Sequence, residues 1–109
     1  MNGKVNQCFE QKYILKTREV SDLPGLMDRL AKIVDEGSRS KTMIIGKACD
    51  DACLFIAKPL FKHPQPPYPP NVIQGEILVV LKCVGIESLY RASLKILEET
   101  KNIAVMEPV

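Results

Sequence analysis

Four segments of the chain carry the hydrophobic pattern of β-strands. Residues 11–20 are rich in β-forming side chains and contain neither Gly nor Pro, which predicts a first strand. Residues 41–48 and 75–84 have apolar centres, and the run "ILVVL" in the second of them is typical of a strand covered by other elements. Residues 102–109 predict a short closing strand, kept at a sheet edge by its proline.

Two further segments place apolar residues at helical spacing. Residues 21–37 predict a helix that begins at Ser21 as N-cap and ends at Gly37 in a left-handed conformation. Its apolar stripe comprises Leu23, Leu26, Met27, Leu30 and Val34. Residues 85–102 predict a second helix whose buried face would comprise Ile86, Leu89, Tyr90, Ser93 and Leu97.

The order of these elements predicts an α+β fold. Two strand–helix–strand halves in one chain of 109 residues favour a single ferredoxin-like βαββαβ sandwich over residues 1–109. Both helices would cover one face of a four-stranded antiparallel sheet, which leaves the other face for a partner or ligand. A domain this small gains from association, so a homo-oligomer is expected.

A long insertion, residues 47–74, separates the second and third predicted strands. Its first half, "ACLFIAKPLF", is apolar and is expected to be buried as an extra strand, a short helix or an anchor in a neighbouring subunit. Its second half, "HPQPPYPP", favours exposed polyproline II. The connection is either a stiff surface loop or a partner-binding arm. Candidate contacts of such an arm are Phe55, Phe61, His63 and Tyr68.

The foot of this connection is the candidate ligand site. Gly46 and Gly75 allow close approach to the backbone, and Lys47 supplies a positive charge. Such a site suits a small anionic metabolite or a nucleotide.

Composition narrows the class of protein. With 15 basic and 13 acidic residues the net charge is +2, which gives no reason to expect nucleic acid or an anionic membrane as partner. The N-terminus lacks the apolar run of a signal peptide, and no stretch approaches the roughly 18 apolar residues of a membrane span. A cytoplasmic location is therefore expected, with the four cysteines as reduced thiols.

Catalytic and cofactor motifs do not emerge from the sequence. Cys49 and Cys53 have a spacing that suits a metal, and His63 adds a nitrogen donor, but a second closely spaced ligand pair is missing. A Cys–His nucleophilic pair lacks an orienting third residue. We therefore expect no catalytic residue, no metal and no cofactor, and favour a non-enzymatic protein.

Three family resemblances follow. "TMIIGKA", the long connection and residues 75–109 resemble the layout of PII-type signalling proteins, which implies a trimeric regulatory or small-molecule-binding protein with a mobile, target-contacting loop. Asp22, Pro24 and Gly25 resemble the turn that borders an amino-acid site in ACT regulatory domains. Residues 75–109 are also similar to the closing half of bacterial microcompartment shell domains, which implies a structural, self-assembling subunit. A module that binds partners through the proline-rich loop is the remaining alternative.

Overall fold

Six antiparallel strands and two helices make up the part of the chain described by the computed structural model, which is residues 7–17, 20–39, 43–60 and 76–109. The strands are β1 (Cys8–Thr17), β2 (Glu36–Arg39), β3 (Ile44–Ala48), β4 (Cys53–Leu60), β5 (Glu76–Val84) and β6 (Ala104–Pro108). The helices are α1 (Leu23–Ala31), which follows a 3₁₀ turn at Val20–Asp22, and α2 (Ile86–Thr100). The sheet order is β2-β3-β4-β5-β1-β6.

The predicted four-stranded ferredoxin-like sandwich is wrong. Its second and third strands, β3 and β5, are not neighbours, because β4 lies between them and pairs with both. Strand β2 adds a further unpredicted member at one edge. The predicted insertion at 47–74 therefore contains an interior strand, and of the three conformations considered for "ACLFIAKPLF" the extra strand is the one adopted over Cys53–Leu60.

One face of the sheet packs against both helices. From Ile77 onwards the side chains of β5 alternate between buried and more exposed positions, and Ile77, Val79 and Leu81 are fully buried beneath α2. Helix α1 packs against α2 and β3. Its predicted stripe is confirmed at Leu26, Met27 and Leu30, which are buried, and at Leu23, which packs against the core; Val34 also packs against the core but lies beyond the end of the helix. The closing strand β6 lies at an edge, as its proline predicts.

The ends of α1 differ from the prediction. Asp22, not Ser21, is the N-cap, and the helix ends at Ala31. Gly37 lies in β2 opposite Gly46 of β3, where a Cβ atom would stand 2.5 Å from the Gly46 Cα and closer still to the Ile45 carbonyl oxygen. Close strand approach, rather than a left-handed helix end, is therefore what requires glycine at this position.

Helix α2 is rotated relative to the predicted face. Ile86, Tyr90 and Leu97 are 61%, 67% and 43% exposed, and the fully buried positions are Ala92, Ile96 and Thr100. The small side chain of Ala92 lets α2 approach the sheet closely. The Thr100 hydroxyl donates to the Ile96 carbonyl oxygen over 2.7 Å, so that its burial leaves no polar group unpaired. Within the described residues no helix is long and apolar enough to cross a membrane.

A disulfide joins Cys53 of β4 to Cys83 of β5, and the expectation of four reduced cysteines is wrong on this point. The two residues are directly paired in the register and both lie on the helix-covered face. Their Cα atoms are 4.0 Å apart. Cys8 is exposed and Cys49 buried, and both are free thiols. The Cys53 Sγ also contacts the Ser88 carbonyl oxygen at 3.6 Å, which links the bond to the start of α2.

The close contact between β2 and β3 predicts that alanine destabilises the protein at Gly37 but not at Gly25. Gly37→Ala should lower the free energy of unfolding by about 1–3 kcal/mol, because neighbouring backbone must shift. Gly25→Ala is the matched control, since its Cβ would meet Ile103 at an ordinary 3.5 Å and alanine favours a helix by up to about 1 kcal/mol. Urea unfolding of both variants checks this, and equal effects would contradict the close contact.

The disulfide predicts a redox-dependent stability. It spans a sequence separation of 30 residues, so dithiothreitol should lower the free energy of unfolding by about 3–4 kcal/mol in the chain-entropy account. The Cys53→Ala/Cys83→Ala double variant should show no response to dithiothreitol, and Cys8→Ala should respond as the parent protein does. A parent protein whose urea midpoint ignores dithiothreitol would show that the bond is absent in solution.

Candidate functional site: the open face of the sheet

The second face of the sheet is not covered by either helix. Its side chains alternate along the strands with those of the helix-covered face, and the strand register places them in four cross-strand rows. Glu76, in the fourth row, is buried at 8% exposure, whereas the other members of the rows are partly or largely exposed. From the β3 side to the β6 side, the first row is Lys47, Leu54, Lys82 and Glu10, and the second is Ile45, Ile56, Val80 and Lys12. The third is Lys58, Leu78, Ile14 and Glu107, and the fourth is Leu60, Glu76, Lys16 and Val105.

An apolar patch occupies the centre of this open face. Ile56 and Val80 are adjacent in the second row, and Leu78 and Ile14 are adjacent in the third. All four are partly exposed. Ile45 and Leu54 extend the patch and are 41% and 40% exposed. A contiguous exposed apolar patch with a polar rim is typical of an interaction surface.

The charges around the patch are unevenly distributed. Ion pairs cluster on the β1 and β6 side, where Glu10 lies 3.7 Å from Lys12 and 3.8 Å from Lys82, and Glu107 lies 3.1 Å from Lys16. On the other side, neither Lys47 nor Lys58 has an ion-pair partner within residues 7–17, 20–39, 43–60 and 76–109. From the β3 side to the β6 side, the first row begins with Lys47 and ends with Glu10, and the third row begins with Lys58 and ends with Glu107.

The predicted ligand residues separate onto different parts of the fold. Gly46 is buried and pairs with Gly37 of the adjacent strand β2. The close backbone approach that was expected of a ligand at Gly46 is therefore made by Gly37. Lys47 is exposed and lies on the open face. Gly75 lies outside the described residues, as does the complete "HPQPPYPP" segment. A ligand site at the foot of the connection stays a prediction.

The predicted partner contacts also need correction. Phe55 lies in β4, not in a loop, and is fully buried in the core, so it is not available to a partner in this structure. The reason is the two-residue period of the strand, which turns Phe55 towards the helices and leaves Leu54 40% exposed. The segment "ACLFIAKPLF" was expected to be buried, and this is confirmed only for the side chains of β4 that face the helices. Phe61, His63 and Tyr68 lie outside the described residues.

The structure bears on two of the cysteines considered for a metal or nucleophilic site, whose third member, His63, lies outside the described residues. Cys53 is bonded to Cys83 and has no thiolate to offer a metal or a substrate. Cys49 is buried in the β3–β4 turn, where Cys49, Asp50 and Asp51 have positive φ angles of 53°, 55° and 67°. Within the described part of the chain, no three His, Cys, Asp or Glu side chains are grouped to hold a metal ion.

A shallow depression of about 300 Å³ lies beside the start of α1 and is lined partly by Lys16, Asp22 and Lys101. It includes Asp22 of the ACT-like turn, while Gly25 packs towards Ile103. Both lysines already contact carboxylates, at 3.1 Å and 3.4 Å. The amino-acid site implied by that resemblance stays a prediction, and the open face is the stronger candidate.

Comparison with known proteins returned no match of any kind: no protein family, no curated protein and no solved structure matches this chain. The resemblance to PII-type proteins therefore stays a prediction.

Proposed function

We propose that the chain is a non-catalytic protein that acts as a homo-oligomer, with the open face of the sheet as its subunit interface. The observation that carries the proposal is the apolar patch at Ile14, Ile56, Leu78 and Val80, on the face that neither α1 nor α2 covers. Full burial of such side chains is worth about 1.5–3 kcal/mol each. Each is already partly buried, so association would add a fraction of that amount per residue.

The chemistry of the patch supports binding rather than catalysis. Its aliphatic side chains carry no group that can attack a substrate or transfer a proton. The lysines and glutamates around it are mostly engaged with one another at 3.1–3.8 Å. A small domain also buries a modest share of its surface on folding, so a second copy on this face adds substantially to its stability.

Several roles are compatible with such an oligomer. A regulatory or small-molecule-binding role of the PII type remains the leading prediction, although the trimer that this resemblance implies differs from the two-fold arrangement inferred below. A shell subunit and a module that binds partners through the proline-rich connection remain alternatives. A closed oligomer of defined size favours the regulatory role, whereas growth into sheets favours the shell role.

Cytoplasmic location is part of the proposal and bears on the disulfide. Reducing thiols in the cytoplasm act against such bonds. Cys53 and Cys83 are 1% and 0% exposed, so a soluble thiol reaches them only after local opening. The bond would then persist or disappear according to how often β4 and β5 separate.

The oligomer is tested by a matched pair of leucines. Leu78→Glu places a charge in the centre of the patch and should weaken self-association roughly tenfold or more, because the carboxylate must lose water on burial. Leu94→Glu is the control, since Leu94 is 42% exposed on α2, away from the sheet. Sedimentation velocity across micromolar concentrations measures both, and circular dichroism checks that each variant is folded.

A parent protein that sediments as a 12.2 kDa monomer throughout that range would overturn the proposal. Equal weakening by Leu94→Glu would contradict an interface confined to the open face of the sheet.

A further inference from the structure

We infer that the interface is formed by a second copy placed face to face, across a two-fold axis that runs parallel to the strands between β1 and β5. This inference rests on the proposed self-association and adds its geometry. The observation behind it is the order of charged and apolar residues within the four rows of the open face.

Rotation by 180° about such an axis keeps each row opposite the same row of the partner and reverses its direction. Strand β5 then faces the partner's β1, and β4 faces the partner's β6. Aligned sheets pack about 10 Å apart and about −30° from parallel. Rows near the axis therefore stay in register, and the long lysine side chains at the rim span the offset that remains.

The third row is self-complementary under this operation. Leu78 lies opposite the partner's Ile14, and Lys58 lies opposite the partner's Glu107. Symmetry produces each contact twice. Lys58 has no ion-pair partner among the residues that the structure describes, so the partner's carboxylate would supply one.

The neighbouring rows agree with the same axis. In the first row Lys82 lies opposite the partner's Glu10, and in the second row Val80 lies opposite the aliphatic stem of the partner's Lys12. In the fourth row Leu60 lies opposite the partner's Val105. No like charges are opposed in these contacts.

A shift of the axis by one strand loses this agreement. With the axis between β4 and β5, Lys58 would lie opposite the partner's Leu78, and Leu54 opposite the partner's Lys82. In that arrangement Lys58 and Lys82 both lie opposite leucine, whereas the axis between β1 and β5 places each of them opposite a carboxylate and leaves only Lys12 opposite an apolar side chain. Of these two axes, the pattern of charges therefore favours the one between β1 and β5.

The test is a charge exchange across the interface. Lys58→Glu and Glu107→Lys each oppose two like charges at two symmetric positions, and each should weaken self-association roughly tenfold or more. The double variant Lys58→Glu/Glu107→Lys reverses the pair and should recover to within about threefold of the parent protein, at low salt where such pairs are least screened. Lys95→Glu, on the exposed side of α2, is the control for altered net charge.

Sedimentation equilibrium distinguishes the outcomes. A parent species of twice 12.2 kDa and recovery in the double variant support the two-fold arrangement. A species of three times that mass, or a double variant as weak as the single ones, overturns the arrangement while self-association stands. A monomeric parent protein overturns self-association as well.

Discussion

The pairing of β4 with β5 is the constraint on which the rest of the structure depends. It brings the apolar first half of the long connection into the interior of the sheet, where Phe55 and Ala57 are fully buried. It also places Cys53 directly opposite Cys83, so that the two thiols can form a bond. On the opposite face, the same register sets Ile56 beside Val80 and Lys58 beside Leu78. Core, disulfide and open face are thus consequences of one strand pairing.

Because successive side chains of a strand point to opposite faces, each strand contributes side chains both to the helix-covered face and to the open face of the sheet. One set of side chains is covered by α1 and α2 within the chain. The other set is apolar at its centre, yet no described element packs over it, so covering it requires something beyond the sheet and helices. The arrangement of lysines and glutamates around the patch supports the proposal that a second copy covers it, since the two ends of the third row carry opposite charges.

Local patterns account for the elements that the sequence predicted. The stripe at Leu26, Met27 and Leu30 and the apolar run of β5 require only periodicity within one segment. Strand β4 was predicted only as one of three alternatives, because both of its faces carry apolar residues, which hides the alternation. Strand β2 contains few β-forming residues and depends on the close contact of Gly37 with Gly46, which is a tertiary feature.

The candidate site was less predictable than the fold. Lys47 was identified from local sequence, but the patch joins Ile14, Ile56 and Leu78, which are distant along the chain. Only the register of β1, β4 and β5 brings them together, and register is set by pairing rather than by composition. The disulfide was not predicted for the same reason, because spacing alone does not show which cysteines share a cross-strand position.

An isotope-filtered NOE experiment on a mixture of labelled and unlabelled chains tests the central claim most directly, because it records contacts between copies only. We expect intermolecular NOEs between the methyl groups of Leu78 and those of the partner's Ile14. Intermolecular NOEs confined to the exposed side chains of α2, such as Ile86 and Tyr90, would contradict it.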